Sequence, residues 1–351
     1  VDAHTKPLLV TGGAGFIGSA LVRIATARGR RVVNVDALTY AGNLASLRGV
    51  DPSLHQFVQA DVTDGRAMAE VFATHQPSAV VHLAAETHVD RSIDAPAAFL
   101  QTNLLGTAAL LDASLAYYRT LDDADRARFR FVHTSTDEVF GSLGPDGWFD
   151  VGTPYDPRSP YAATKAGSDH LVRAWHHTYG LPTVVSNCGN NYGPYQFPEK
   201  LIPLMTLKGL AGERLPVYGS GLNVRDWIHV DDHAEALLAM TEAAPGETYL
   251  VGARGERTNL QVVHALCDIL DALVPERAPH ASLITYVADR PGHDFRYAID
   301  PTHALAGLPW APRRRFEEGL EQTVRWYRDN AWWWQPILSG AYRLERLGVQ
   351  S

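Results

Sequence analysis

The chain has 351 residues, 46% of them hydrophobic, and a formal net charge of −8. That length and apolar content support one large or two modest domains with real cores, and the acidic balance leaves no overall footprint for nucleic acid or a membrane surface. Cys188 and Cys267 are the only cysteines, the opening "VDAHTKPLLV" lacks the basic-then-apolar pattern of a secretion signal, and no apolar run reaches the roughly 18 residues of a membrane span, so a cytoplasmic protein without a disulfide scaffold is expected.

In chain order, "PLLVTGGAGFIGS" runs from a short apolar strand through glycines into a helix that ends near "ARGR". "RVVNVD" and "HQFVQADVTD" read as the next strands, followed by a helix at "AMAEVFATHQ" and a fourth strand at "AVVHLAA". A long helix fits 97–118, and the charge-rich "LDDADRARFR" (121–130) reads as a linker or solvated insertion. "RFRFVHTS" is a fifth strand, "YAATKAGSDHLVRAWHHTYG" a helix and "PTVVSNC" a sixth strand. Strands alternating with helix-length segments predict a parallel sheet covered by helices on both faces. Regularity fades after about residue 190, where "NNYGPYQFPEKLIPLM" has loop-like density of Gly, Pro and aromatics. The expected fold is α/β. A Rossmann-type parallel sheet flanked by helices spans 1–190, and a smaller mixed α/β C-terminal substrate domain spans 191–351. Segments around 225–255 are candidates to return to the first domain.

Gly12, Gly15 and Gly18 follow the first strand and open a helix. Such spacing gives a tight turn, close approach of backbone to a pyrophosphate and close helix–sheet packing, with helix amides facing the anion. A generic glycine turn would share this pattern. The next apolar strand, however, ends at Asp36, where an acidic residue can bind both ribose hydroxyls and disfavours a 2′-phosphate. The pair points to a dinucleotide, NAD over NADP. Asp61, after the third strand, is placed either at an adenine edge or as a simple cap.

"YAATK" puts Tyr161 and Lys165 on one helix face, one turn apart. A nearby ammonium stabilises a phenolate, so the spacing predicts a tyrosine with lowered pKa that serves as a hydroxyl-directed base. Beside a dinucleotide turn, this suggests alcohol oxidation by hydride transfer, with Thr134, Ser135 or Thr136 holding the substrate hydroxyl. "TSTDEVFG" then adds Asp137 and Glu138 at the carboxyl end of a strand, which in an open α/β sheet faces the ligand crevice. Two adjacent carboxylates disfavour joint ionisation, so one can hold a proton while the other is basic. Simple alcohol oxidation does not need that pair; a charged loop after the strand is the plain alternative.

Taken together, "TGGAGFIGS", "NVDALTYAGN", "HLAAETHVDRSI", "TSTDEVFG", "SPYAATKAGSDH", "NNYGPYQFPEKLIPL", "VYGSGLNVRDWIHVDDH", "GERTNLQVV" and "ADRPGHDFRYAID" resemble the extended short-chain dehydrogenase/reductase superfamily and, within it, the dTDP-glucose 4,6-dehydratases. The likeness covers nearly the whole chain. It implies dTDP-glucose as substrate, dTDP-4-keto-6-deoxyglucose and water as products, and a tightly held NAD regenerated each cycle. No metal is expected. By the same resemblance Tyr161 takes the C4 hydroxyl proton, Glu138 removes the C5 proton, Asp137 protonates the departing C6 hydroxyl, Thr136 bonds near the C4 oxygen, and Lys165 binds ribose and tunes Tyr161. Gly12, Gly15, Phe16, Ile17, Gly18, Asp36, Asp61, Val62 and Ala84 are implied to hold the cofactor. His88, Asn190, Asn191, Glu199, Lys200, Leu201, Arg225, Asn259, Arg290 and His293 are implied to contact the sugar nucleotide, with Arg91 shaping the pocket.

The chain departs from the family pattern at Phe140 (commonly Tyr), Thr87 (commonly Ser), near Asn187 (commonly Arg) and near Gly189 (commonly Ser). The resemblance also implies a homodimer joined by a four-helix bundle of the helices at about 97–118 and 161–178. Rival expectations on the same fold are a UDP-glucose 4,6-dehydratase, a decarboxylase or an epimerase. A non-catalytic nucleotide sensor is a rival of another class, disfavoured because Tyr161, Lys165, Asp137 and Glu138 are all present.

Overall fold

The computed structural model describes residues 6–289 and 292–340. Apolar, β-branched runs form the first strands: β1 (Leu8–Thr11), β2 (Val32–Asp36), β3 (His55–Gln59), β4 (Ala79–His82), β5 (Phe131–Thr136) and β6 (Thr183–Cys188). β7 (Asn190–Tyr192), β8 (Leu215–Tyr218), β9 (Val224–His229), β10 (Thr248–Val251), β11 (Glu256–Thr258) and β12 (Ile284–Val287) follow. Seven of them build one parallel sheet in the order β10-β6-β5-β4-β1-β2-β3. The chain order reverses between β1 and β4, so a crevice opens at their carboxyl ends.

Alternation along the strands feeds two cores. Leu8 and Val10 point to one face with Leu21 and Leu237; Leu9 points to the other with Leu110, Phe131 and Val172. Both faces are dry because helices cover both, which is why these strands read as continuous apolar runs. The fifth strand starts later than the sequence suggests, because Asp122 accepts from the Asp125 amide and caps a short helix, Asp123–Arg128, inside the charge-rich segment. The long helix expected at 97–118 is interrupted: Leu100–Gly106 is π-helical before the regular helix Thr107–Thr120.

A third apolar cluster joins Ile202, Met205, Val217, Trp227, Leu266 and Phe316. Around it lie the three-stranded sheet β11-β9-β7 and the pair β12-β8. The chain leaves the large sheet after β6, returns from β9 of the smaller sheet to pair β10 with β6, and leaves again at β11. Cys188 and Cys267 are buried free thiols. Among the described residues no helix is long and apolar enough to cross a membrane, and no cluster of three or more His, Cys, Asp or Glu residues could hold a metal ion.

Candidate active site

The nucleotide end of the crevice is made of backbone. Gly12 has φ +72°, and a Cβ there would lie 2.7 Å from the Ala84 amide nitrogen. A Cβ on Gly18 would lie 2.1 Å from the Gly12 carbonyl oxygen, so the turn closes onto the helix only with glycine. The helix Phe16–Ala27 has Gly15 at its N-cap, no capping side chain and no acidic residue in its first turn. Its first amides are therefore open to an anion. Asp36 is fixed by the Ala14 amide at 2.9 Å and the Leu38 amide at 2.8 Å, leaving lone pairs on both oxygens for hydroxyl groups. This cradle fits a dinucleotide. Asp61 accepts from the Thr63 amide and hydroxyl, both at 2.8 Å, while lining the same cavity beside Val62. It thus caps a turn and borders the crevice at once.

The chemical end is built from side chains on different elements. β5 delivers Thr136 to the crevice, and the chain turns at once into a 3₁₀ turn, Asp137–Phe140, with the Thr136 hydroxyl accepting from the Glu138 amide at 3.2 Å. The turn ends at Gly141 (φ +81°). The helix Pro160–Tyr179 starts beside it, capped by Ser159, and brings Tyr161 and Lys165 to the same wall. One cavity of about 310 Å³ joins the glycine turn, Asp36, Thr136, Asp137, Glu138, Tyr161 and Lys165.

Asp137 is 2% exposed, and its Oδ1 accepts from the Thr136 hydroxyl at 3.3 Å. Burial first, then the charges of Glu138 and Asp226, hold its carboxyl well above the usual carboxylate range. The Tyr161 phenol is raised as well, by burial and by Glu138, which reverses the lowering that the Tyr–Lys spacing predicts. The ammonium is engaged elsewhere: Lys165 Nζ donates to the Thr134 carbonyl at 2.8 Å and lies 3.4 Å from His133 Nε2. Burial brings Lys165 down to about 8.

The segment 195–200 roofs the cavity. Glu199 receives the Tyr40 hydroxyl at 3.1 Å and lies 3.5 Å from His88 and 3.7 Å from Arg91, whose guanidinium stacks 3.7 Å above the Tyr40 ring. Lys200 reaches the Thr87 carbonyl at 3.2 Å and also borders the cavity. Glu199 and His88 therefore face each other and the cofactor loop. Asn190 and Asn191 line the cavity; the Asn191 amide is directed to the Gly189 carbonyl and to His233.

Leu201, Arg225, Asn259 and His293 do not line this cavity. Leu201 opens the helix Leu201–Ala211 beneath the roof. Arg225 stacks 4.2 Å above the Tyr297 ring and donates to the carbonyls of Val224 and Asp294, and Asn259 opens the helix Asn259–Leu273. His293 pairs with Asp289 at 2.7 Å. Arg290 lies outside the described residues.

Residues that pattern reading left out are Tyr40, Thr102, Cys188 and Tyr195, all on the cavity wall. Tyr195 carried a local signal, a Gly-Pro-Tyr turn, and it adopts φ +69°, uncommon for a bulky residue. The others carry no motif of their own. Gly189 has the Asp226 backbone oxygen 2.7 Å from the place of a Cβ, so this backbone admits only glycine.

A fold and site of this kind define a nicotinamide-dependent enzyme of the short-chain dehydrogenase/reductase type. The family model described as GDP-mannose 4,6 dehydratase matches residues 9–323. The chain is 56% identical over 345 residues to a dTDP-glucose 4,6-dehydratase of Xanthomonas campestris, covering 97% of this chain and 98% of that one. It is 55% identical over 352 residues to that of Neisseria meningitidis, covering 98% and 99%. A solved dTDP-glucose 4,6-dehydratase from Streptomyces venezuelae with NAD bound superposes with a TM-score of 0.85 at 44% identity, covering 94% of this chain and 99% of that one. The chain belongs to the dTDP-glucose 4,6-dehydratase family of the extended short-chain dehydrogenase/reductases.

Proposed function

We propose that the protein converts dTDP-α-D-glucose to dTDP-4-keto-6-deoxy-D-glucose and water, with NAD as a recycled cofactor. The observation that carries this reading is the Asp137–Glu138 turn on the same cavity as Tyr161 and the glycine cradle. When bound, NAD would supply a hydride acceptor, the same hydride for return, and a positive charge that would favour the Tyr161 phenolate. The glycine turn, the amides of the helix Phe16–Ala27 and Asp36 would hold it, and Lys165 would bind its ribose.

Tyr161 takes the proton of the C4 hydroxyl, steadied by Thr136. The resulting ketone acidifies the C5 proton. Glu138 removes that proton, and Asp137, kept protonated by burial and by neighbouring charge, gives its own to the C6 oxygen so that water departs. Adjacent positions on one tight turn support giving base and acid to adjacent carbons. Lys200, Asn190 and Asn191 border the sugar side of the cavity, and Arg225, Asn259, Arg290 and His293 are assigned to the diphosphate and nucleoside carried by the part of the chain after 190.

Two copies pair through a four-helix bundle of the 97–118 and 161–178 helices, a reading supported by Leu100 and Leu105, each about half exposed on that stretch. The buried free thiols support a cytoplasmic setting.

The test is incubation of the purified protein with dTDP-glucose or UDP-glucose in D₂O, with product mass and NMR as readouts. Loss of water, a 4-keto-6-deoxy sugar and deuterium at C5, without added oxidant, is expected for the dTDP sugar. A C4 epimer with no water lost would sink the proposal.

A further inference from the structure

Behind the catalytic wall lies a carboxylate that the reaction scheme does not use. Asp169 is fully buried on the helix Pro160–Tyr179, one turn beyond Lys165 and two beyond Tyr161. Its Oδ2 accepts from the Ser135 hydroxyl at 2.9 Å, the Tyr155 hydroxyl at 2.8 Å and the Asn187 amide at 3.0 Å. Its Oδ1 faces His133 Nε2 at 3.2 Å. Asn187 is equally buried and donates a second hydrogen bond to the Thr136 carbonyl at 3.1 Å, the peptide that leads into Asp137.

We propose that Asp169 is a positioning residue for both catalytic pairs: its negative charge keeps Lys165 a cation, and through Asn187 and Ser135 it fixes the end of β5 that presents Thr136, Asp137 and Glu138. This rests on the dehydratase reading of the site.

The charge argument follows from what surrounds Lys165. His82 on β4 and His133 on β5 are driven low by burial, and so are neutral. Cys188 on β6 is pushed up to about 12, and so is a thiol. Arg173, next turn along the helix, donates to the Tyr155 hydroxyl and adds positive charge. Asp169 is therefore the anion that opposes burial of the ammonium, and its own hydrogen bonds, from His133 and Asn187 among others, keep it ionised despite burial. The geometric argument follows from Asn187. Its amide bridges Asp169 and Thr136, so a shift of the carboxylate moves the strand end from which acid and base project.

The experiment uses the full chain carrying its NAD. In the unmodified protein, the activity that depends on cationic Lys165 should fall as pH rises through about 8, and NAD retained through gel filtration should fall with it. Asp169→Asn should move both transitions toward acid, because the remaining surroundings favour neutral Lys165. Tyr155→Phe removes a donor but not the charge, and should leave both where they were. Asn187→Ala should slow water loss by about tenfold or more and hydride transfer, to which the strand end contributes only Thr136, by clearly less, read as reduced-cofactor absorbance in a single turnover. Transitions of Asp169→Asn that coincide with those of the unmodified protein overturn the electrostatic role. If Asp169→Asn does not fold, Asn187→Ala decides: equal slowing of both steps overturns the proposal. Failure of the unmodified protein to form any 4-keto-6-deoxy product would instead overturn the dehydratase reading, and the pH dependence of NAD retention would still test Asp169.

Discussion

Asp137 and Asp169 lie on opposite sides of the same strand end, and both are buried, yet burial leaves them in opposite states. Asp137 meets one hydroxyl and two like charges, and its carboxyl is driven upward to hold its proton. Asp169 meets three donors on one oxygen and an imidazole at the other, and its carboxyl is drawn downward into an anion. The lesson is that burial sets the size of the stakes and hydrogen-bond donors decide the sign. A site that must donate a proton and hold a cation needs one carboxylate of each kind.

The largest effect that tests this contrast is expected from Asp137→Asn. An amide cannot donate the acidic proton, so turnover should fall by about 10²–10⁴-fold. Reduced cofactor should still form in the first turnover, because the Tyr161 step precedes water loss. Rapid mixing followed by product analysis separates the two; loss of the hydride step as well would show that Asp137 is not the acid.

Next is the cofactor end, where recognition uses backbone and one acid. Asp36→Ala removes the acceptor fixed by the Ala14 and Leu38 amides, and NAD should be held about 10–100-fold more weakly, measured by calorimetric titration of protein stripped of cofactor.

Stability should then change with opposite sign at the two carboxylates. The raised Asp137 stabilises the fold fully only below the unfolded value of about 3.9, and that contribution is lost as pH rises through its folded value. At pH 8, Asp137→Asn should therefore raise stability by about 0.5–2 kcal/mol. The depressed Asp169 contributes above the unfolded value and loses that contribution as pH falls through its folded one. At pH 8, Asp169→Asn should lower stability by about 1–3 kcal/mol. Urea titrations of both variants at pH 8 settle the pair; shifts of the same sign would break the comparison.

The smallest effect is expected at Phe140. Its ring stacks 5.1 Å from Phe149 and edge-on to Tyr155 at 5.1 Å, with 5% exposure. The family's tyrosine at this place adds only a hydroxyl, so Phe140→Tyr should change turnover by about twofold or less, within the range of an ordinary tolerated substitution.

Much of this was legible in order along the chain. The parallel strands, the glycine turn ending in an uncapped helix and the acidic end of β2 are local patterns, because turn geometry and strand burial are dictated by neighbours a few residues away. The pairing of Asp137 with Glu138 and of Tyr161 with Lys165 was visible for the same reason. The sequence by itself therefore determined the sheet, the cradle and the two pairs of groups that line the cavity with it. Only the tertiary structure decided their charge states. The Tyr161 phenol is raised where spacing alone predicts it lowered, because packing buries it and sets Glu138 beside it, while the Lys165 ammonium donates to the Thr134 carbonyl. Asp169, Asn187 and Tyr155 carry no motif and come from a helix, a strand and a loop. They meet because β6 lies beside β5 under that helix. A pKa depends on every dipole and charge within a few ångströms, and those neighbours are assigned by packing, not by distance along the chain.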